Sequence, residues 1–382
     1  MSDTKVYFPS LNGIRAIAAS IVIVHHVEMV KHEMNLSRYA IPGDFGTLGV
    51  TLFFVLSGFL ITYLLLAEDR QTGKINIRNF YIRRILRIWP LYYLIVFISF
   101  FLFSRYIYPE GLDLLNKHFG LKLFLNLFLM ANVSHACVGK VPLGSNLWSV
   151  GTEEQFYLLW PWLVRKWKQH MVPVLLVIII ALNAARLLLS PWVETGELYG
   201  IKKMFFYVFS FLTFFRIDCM AMGALGAWVV FFKKDEILRR LYHPAVQWGI
   251  YAITLASLGL GITYFGYLNH IVYALFFIII IINLSSNPAT VITLENPVLD
   301  RIGKISYGMY VYHFIAVVLV LKATVSFFTF HNDVATNALI YIAVFGLTLL
   351  ISQLSYRFFE LPVLRLKKKF TVVISGDDAR NG

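Results

Sequence analysis

Long apolar runs separated by short polar connections recur from one end of the chain to the other. Runs of spanning length fall near residues 14–30, 47–67, 88–104, 147–164, 172–189, 204–232, 244–265, 270–286, 306–328 and 336–357. Each approaches the ~20 residues an α-helix needs to cross hydrocarbon. The pattern predicts an all-α integral membrane fold of about ten transmembrane helices. One further apolar piece, Leu121 to Ala131, is too short to span and is expected to be interfacial or re-entrant. The first run follows Lys5 as a secretory signal would, but His25-His26 stands where a small-residue cleavage site belongs, so a retained first helix is expected.

Composition narrows the class further. The chain is 58% apolar and only 14% charged, against roughly 25% charged in soluble proteins, which excludes a globular enzyme with a single anchor. The formal charge of +13 does not indicate nucleic-acid binding, because the basic residues lie between apolar runs and not along one helix face. Their distribution reads as membrane topology. With the Leu121–Ala131 piece on the outside, one set of connections collects Arg70, Lys74, Arg78, Arg83, Arg84 and Arg87, then Arg165, Lys166 and Lys168, then Lys233, Lys234, Arg239 and Arg240. The end of the chain adds Arg365, Lys367, Lys368 and Lys369, while the opposite connections hold fewer, Lys31, Arg38, Arg105 and Lys140 among them. The positive-inside rule then puts both termini in the cytoplasm. Residues 1–366 form one polytopic membrane domain in this reading, and 367–382 a basic, then disordered, cytoplasmic tail. Cys137 lies in a polar connection and Cys219 in an apolar run, so no disulfide between them is expected.

Ionisable groups inside apolar runs are costly and default to functional hypotheses. Arg15 and His26 are eleven residues apart, which at about 100° per residue puts them within roughly 20° of one helix face and ~16 Å apart along the axis, pointing into one cleft. His25 projects about 80° away. An imidazole can take a proton from a hydroxyl near neutral pH, so His26 is the general-base candidate; a structural histidine is the plainer alternative. Glu153 and Glu154 enter another run but cannot face one pocket, and a helix-entry glutamate at the interface is the alternative there. Arg83 and Arg87 stack at i, i+4 with Arg84 between them. They are either positive-inside anchors or a phosphate clamp, since guanidinium forks match phosphate geometry. Arg216 and Asp218, two apart, cannot neutralise each other and each needs a partner on another helix. Tyr307, His313 and Glu360 are weaker signals.

As a set, these segments resemble the acyltransferase 3 family of bacterial membrane acyltransferases. The resemblance rests on Leu11-Asn12-Gly13-Ile14-Arg15 through His26, with Asn12 where Asp is commoner; Gly49-Val50 and Leu52 to Ile61, including Ser57; and Phe80 to Pro90. Trp148-Ser149 to Tyr157, Arg216 with Asp218, Gly303 to His313 and Glu360-Leu361-Pro362 follow in the family's order. The resemblance implies a bacterial inner-membrane enzyme that takes an acyl group, usually from acetyl-CoA entering from the cytoplasm, to a hydroxyl on the far side, commonly of a glycan. It implies no metal. The chain looks like a version without a fused extracytoplasmic domain, so a separate acyl-handling partner is possible. In the expected mechanism His26 deprotonates the acceptor, Glu153 orients or shares that proton, Arg15 lines the donor path, and Arg83, Arg84 and Arg87 hold donor phosphates; a covalent acyl-histidine is the mechanistic alternative. Rival readings are a transporter or flippase using Arg216, Asp218, Glu153 and His26 as an ionisable pathway, and a non-catalytic scaffold.

Overall fold

A computed structural model describes residues 5–36, 45–193, 200–327 and 333–376. Arg38 and residues 377–382 of the expected tail lie outside these. The described residues are 84% helical. Its long helices are α1 (Leu11–Glu33), α2 (Phe45–Thr72) and α3 (Ile77–Phe97), the last continued by a π-helical stretch, Ile98–Ile107. After a short helix α4 (Phe119–Leu127) come α5 (Trp148–Trp167), α6 (Met171–Val193), α7 (Ile201–Phe214) and α8 (Ile217–Phe231). The remainder is α9 (Pro244–Gly259), α10 (Asn269–Ser286), α11 (Pro297–Lys304), α12 (Ser306–Phe327), α13 (Val334–Ser355) and α14 (Leu361–Leu366).

All ten expected runs fall on helices. Eight continuous stretches among the described residues are long and apolar enough to cross a membrane, and one of them, Gly144–Val193, contains both α5 and α6. Helix α9, at 16 residues, is shorter than the ~20 of a full span. Local chemistry sets the boundaries: Asn76 starts α3 by accepting from the Asn79 N–H, and Asn296 followed by Pro297 starts α11 by accepting from Val298 and Leu299.

The expected single run 204–232 is instead broken at Phe215–Arg216 into α7 and α8. The break is built, not frayed. Buried Arg186 of α6 donates to the orphan carbonyls of Leu212 and Phe215 at the end of α7 and, through Nη1 and Nη2, to both oxygens of Asp218 in the first turn of α8. A guanidinium thus satisfies a helix C-terminus while a carboxylate faces a helix N-terminus.

The Leu121–Ala131 piece does not span. Helix α4 leads to a tip at Leu127–Met130, and Tyr92 and Tyr93 of α3 donate their hydroxyls to the Asn126 and Leu127 carbonyls at 2.8 and 3.0 Å. Tyr92 lies fifteen residues into α3, about 22 Å along its axis at ~1.5 Å per residue. The segment therefore dips back to the middle of a spanning helix, as a re-entrant element does, and its backbone is held by protein hydrogen bonds as non-helical backbone at that depth must be.

The core is the packing of α1 on α2, α11 and α12, and of α2 on α8. The α2–α8 crossing is backbone-close: a Cβ on Gly58 would lie 1.9 Å from the Met220 carbonyl oxygen, and one on Gly223 2.0 Å from that of Val55. Only glycine fits at such a small-residue contact. Finally, β1 (Lys5–Val6) pairs in parallel with β2 (Ile374–Ser375), so both chain ends meet on one face of the molecule. Residues 367–376, expected as tail, are part of the folded domain: Lys367–Phe370 forms a 3₁₀ turn packed on α3. The turn is retained because it supplies partners for groups that would otherwise lack them, such as Arg83.

Candidate active site

A cavity of about 810 Å³ runs from the face that carries both chain ends into the helix bundle. Helices α1, α2, α3, α5 and α12 contribute Arg15, Ser57, Arg84 and Arg87, Glu153 and Tyr157, and Tyr307 and Tyr310 to its wall, and Glu360 precedes α14 on the same wall. Most of the expected site residues therefore share one space.

Its polar centre is compact. Glu153 is in hydrogen-bonding contact with both Ser57 and Tyr157, and the Ser57 and Tyr157 hydroxyls are 2.5 Å apart. The Arg84 guanidinium lies over the Tyr157 ring at 5.6 Å, and its buried Nε has no hydrogen-bond partner among the described residues. Arg84 itself lines the cavity, and a guanidinium there fits an anionic ligand. Glu153 and Glu154 diverge as helical spacing requires: Glu154 instead accepts from the Trp89 indole N–H at 2.8 Å. Tyr307 donates to the Ile88 carbonyl, Glu360 accepts from Ser355, and Arg15 donates to Asn12, which donates to Asp300.

Three expectations about placement fail. Arg83 does not line the cavity; its Nη2 donates to Glu68 at 2.9 Å and its Nη1 to the Phe370 carbonyl at 2.7 Å. At i, i+4 Arg83 and Arg87 share a face of α3, but the folded 367–376 segment covers the Arg83 end of that face. Arg15 and His26 do share a side of α1, but Arg15 lines the cavity and His26 is not among its lining residues. Nor are His26 and Glu153 a pair. Between them stands Tyr310, which lines the cavity, hydrogen-bonds Ser149 through its hydroxyl at 2.7 Å, and accepts on its carbonyl from the Asn146 amide and His313 Nδ1.

Beyond that barrier two imidazoles face each other, His26 and His313, with ring centroids 4.7 Å apart. A carbonyl can only accept, so Nδ1 of His26, 2.8 Å from the Val22 carbonyl, carries a proton, and Nδ1 of His313, 2.7 Å from that of Tyr310, does likewise. In the neutral form of each ring the lone pair therefore lies on Nε2, the tautomer a general base needs. The His313 Nε2 is buried with no protein partner among the described residues. His25 instead points at α2, against Gly46.

Arg216 and Asp218 belong to neither the cavity nor the imidazole pair. Each does find a partner on another helix, as expected: Arg216 reaches Thr51 and the Trp148 ring, while Asp218 is held by Arg186, Asn183 and His270. Arg186 and His270 were overlooked in the sequence, although a cation inside the Val172–Leu189 run is by itself an intramembrane signal. Donor atoms of Asp218, Cys219 and His270 lie within 4.8 Å of one another, a set that could ligate a metal, but Arg186 already occupies both Asp218 oxygens. Cys137 and Cys219 are both free thiols.

Fold and site together define a multi-pass membrane protein that brings cations, a half-buried carboxylate and hydroxyls to one cavity near a histidine pair. The acyltransferase domain family matches residues 8–357, nearly the whole chain, and the protein belongs to that family of membrane acyltransferases. It is 28% identical over 376 residues to the O-acetyltransferase OatA of Staphylococcus aureus, covering 94% of this chain and 57% of that protein. To the peptidoglycan O-acetyltransferase OatA of Listeria monocytogenes it is 28% identical over 377 residues, covering 94% and 56%. A putative O-acetyltransferase of Staphylococcus aureus is 29% identical over 381 residues, covering 93% and 57%. The chain thus spans a little over half the length of these relatives. No solved structure matches it.

Proposed function

We propose that the protein moves an acetyl group from a coenzyme A thioester, held in the inward cavity, to a hydroxyl of a cell-wall glycan presented on the opposite side of a bacterial cell membrane, with both chain termini in the cytoplasm. The observation that carries this reading is the joining, in one cavity, of the Arg84 and Arg87 guanidinium groups with the half-buried Glu153 carboxylate and the Ser57 and Tyr157 hydroxyls, near two imidazoles whose Nδ1 atoms are both turned to backbone carbonyls. The glycan acceptor is supported by the printed activity of the Listeria relative, and the cytoplasmic donor side by the excess of cations on the connections level with the cavity mouth.

In the proposed reaction Arg84 and Arg87 bind donor phosphates and the pantetheine arm extends toward Tyr310. His26 Nε2 takes the acceptor hydroxyl proton, the oxygen forms a bond to the thioester carbonyl carbon, the carbon–sulfur bond breaks, and the departing thiolate takes up a proton. Glu153, bonded to Ser57 and Tyr157, positions donor-side groups and does not share the His26 proton. Because Tyr310 separates the two halves, transfer needs either displacement of that side chain or an acyl-histidine intermediate that carries the group past it. The transporter reading draws on the broken α7–α8 helix, but Asp218 beside that break is bound by Arg186, Asn183 and His270 in one buried network that joins three helices.

Reconstituted protein given radiolabelled acetyl-CoA inside vesicles and soluble glycan fragments outside tests the proposal. Label on the glycan is expected, and label on the protein after acid quench without acceptor marks the covalent route. Turnover without label on either, or acetyl-CoA moving intact across the bilayer, overturns it.

A further inference from the structure

The basic run at the end of α14 and just beyond it is, by sequence alone, a topological anchor, yet part of it faces the cavity. Arg365, Lys367 and Lys368 line the wall, whereas Lys369 does not. This segment is pinned in place: Arg83 donates to the Phe370 carbonyl, Thr371 donates to that of Lys367, and β2 pairs with β1. The cavity wall carries seven cationic side chains against four carboxylates, and two of those carboxylates are engaged at the mouth, Asp300 with Lys304 at 2.7 Å and Glu295 with the Tyr7 hydroxyl.

The cations are spread along the wall. Arg87 is close to both Glu153 and Glu360, deep in the cavity. Arg84, also near Glu153, shares a small adjoining pocket with Lys367, while Arg365 and Lys368 line the main cavity together with Val372, Ser375 and Gly376 of the same chain end. Cations distributed along one wall suit a ligand with more than one phosphate group better than a single phosphate.

We propose that Arg365, Lys367 and Lys368 form a second phosphate subsite at the cavity mouth, which takes the 3′-phosphate of a 3′-phosphorylated adenosine diphosphate while Arg84 and Arg87 take its diphosphate. The subsite makes the enzyme select nucleotide-borne thioesters over thioesters on carriers with one phosphate. Arg83, bonded to the backbone of this segment, is its positioning residue. The inference rests on the proposed acyl-CoA donor and specifies which end of that donor each cation reads.

The test compares acetyl-CoA with acetyl-3′-dephospho-CoA in nanodiscs, using the full-length protein, R365Q/K367Q/K368Q, and a charge-matched control, R165Q/K166Q/K369Q, none of whose positions lines the cavity. The wild type and the control are expected to show a KM for the dephospho donor at least ~10-fold higher than for acetyl-CoA, as for loss of a charge-assisted contact. In the triple variant that ratio falls toward one, because the KM for acetyl-CoA rises toward that for the dephospho donor. Binding of adenosine 3′,5′-bisphosphate by calorimetry follows the same order and needs no turnover. A ratio equal in all three proteins overturns the subsite while leaving the donor reading intact; failure of every protein to use either thioester sinks the donor reading and the subsite with it. The same cations could read anionic lipid headgroups, so the comparison is run in phosphatidylcholine with and without phosphatidylglycerol. A variant defect confined to phosphatidylglycerol assigns them to lipid and overturns the subsite.

Discussion

At the residue scale, neighbours in sequence have different environments, and this makes paired substitutions informative. His26 in its neutral form presents an Nε2 lone pair beside His313, while His25 packs on Gly46. His26→Ala is expected to lower kcat by ~10²–10⁴-fold, the usual contribution of a general base, and His25→Ala to retain most activity; steady-state transfer assays on detergent-purified protein of unchanged melting temperature decide this. Arg83 and Arg87 are likewise separated by the fold. Arg87→Gln is expected to raise the KM for acyl-CoA with little change in that for the acceptor. Arg83→Gln leaves Glu68 buried without its 2.9 Å partner and should lower thermal stability as well as donor affinity, since the Phe370 carbonyl loses its donor too. Equal, donor-only effects from both substitutions would contradict the placement of Arg83. The sequence made both arginines phosphate candidates because i, i+4 spacing reports a shared helix face, but it is silent on what later segment covers part of that face.

At the scale of elements, the broken α7–α8 helix and the α2–α8 crossing carry the bundle. Arg186 is 1% exposed and Asp218 fully buried, so removing one partner strands a charge in a low-dielectric interior. Arg186→Leu is expected to cost about 3–5 kcal/mol, read as a fall in melting temperature, whereas Arg186→Leu with Asp218→Asn should recover part of the loss. An additive double variant would show that the two residues do not act as a pair. Hydropathy alone suggested one uninterrupted helix over 204–232, because Phe215 and Arg216 carry no proline or glycine to mark a break. The interruption is specified by a residue on another helix. The re-entrant segment was the more legible of the two irregular elements, since a mainly apolar piece of eleven residues is too short to span.

For the whole molecule, pairing of β1 with β2 puts the N- and C-terminal segments side by side, so a reporter at either end should give the same result. A periplasm-active reporter fused after Gly382 is expected to stay silent and a cytoplasm-active one to signal; the reverse would invert the membrane orientation and, with it, the side from which the cavity is loaded. Class, helical architecture and most of the residues that meet in the cavity were legible in the chain, because the cost of exposing polar groups to hydrocarbon forces long apolar runs and makes each intramembrane charge conspicuous. Spacing along a helix also fixed which charged neighbours diverge, as Glu153 and Glu154 do. What only the tertiary structure decided is which groups meet across helices. Tyr310 divides Glu153 from His26, Phe370 captures Arg83, Arg186 builds the break beside Asp218, and the basic end of the chain folds back onto the cavity. Those relations depend on the rotation, depth and tilt at which helices pack, and packing between helices leaves no periodicity in the sequence of either one.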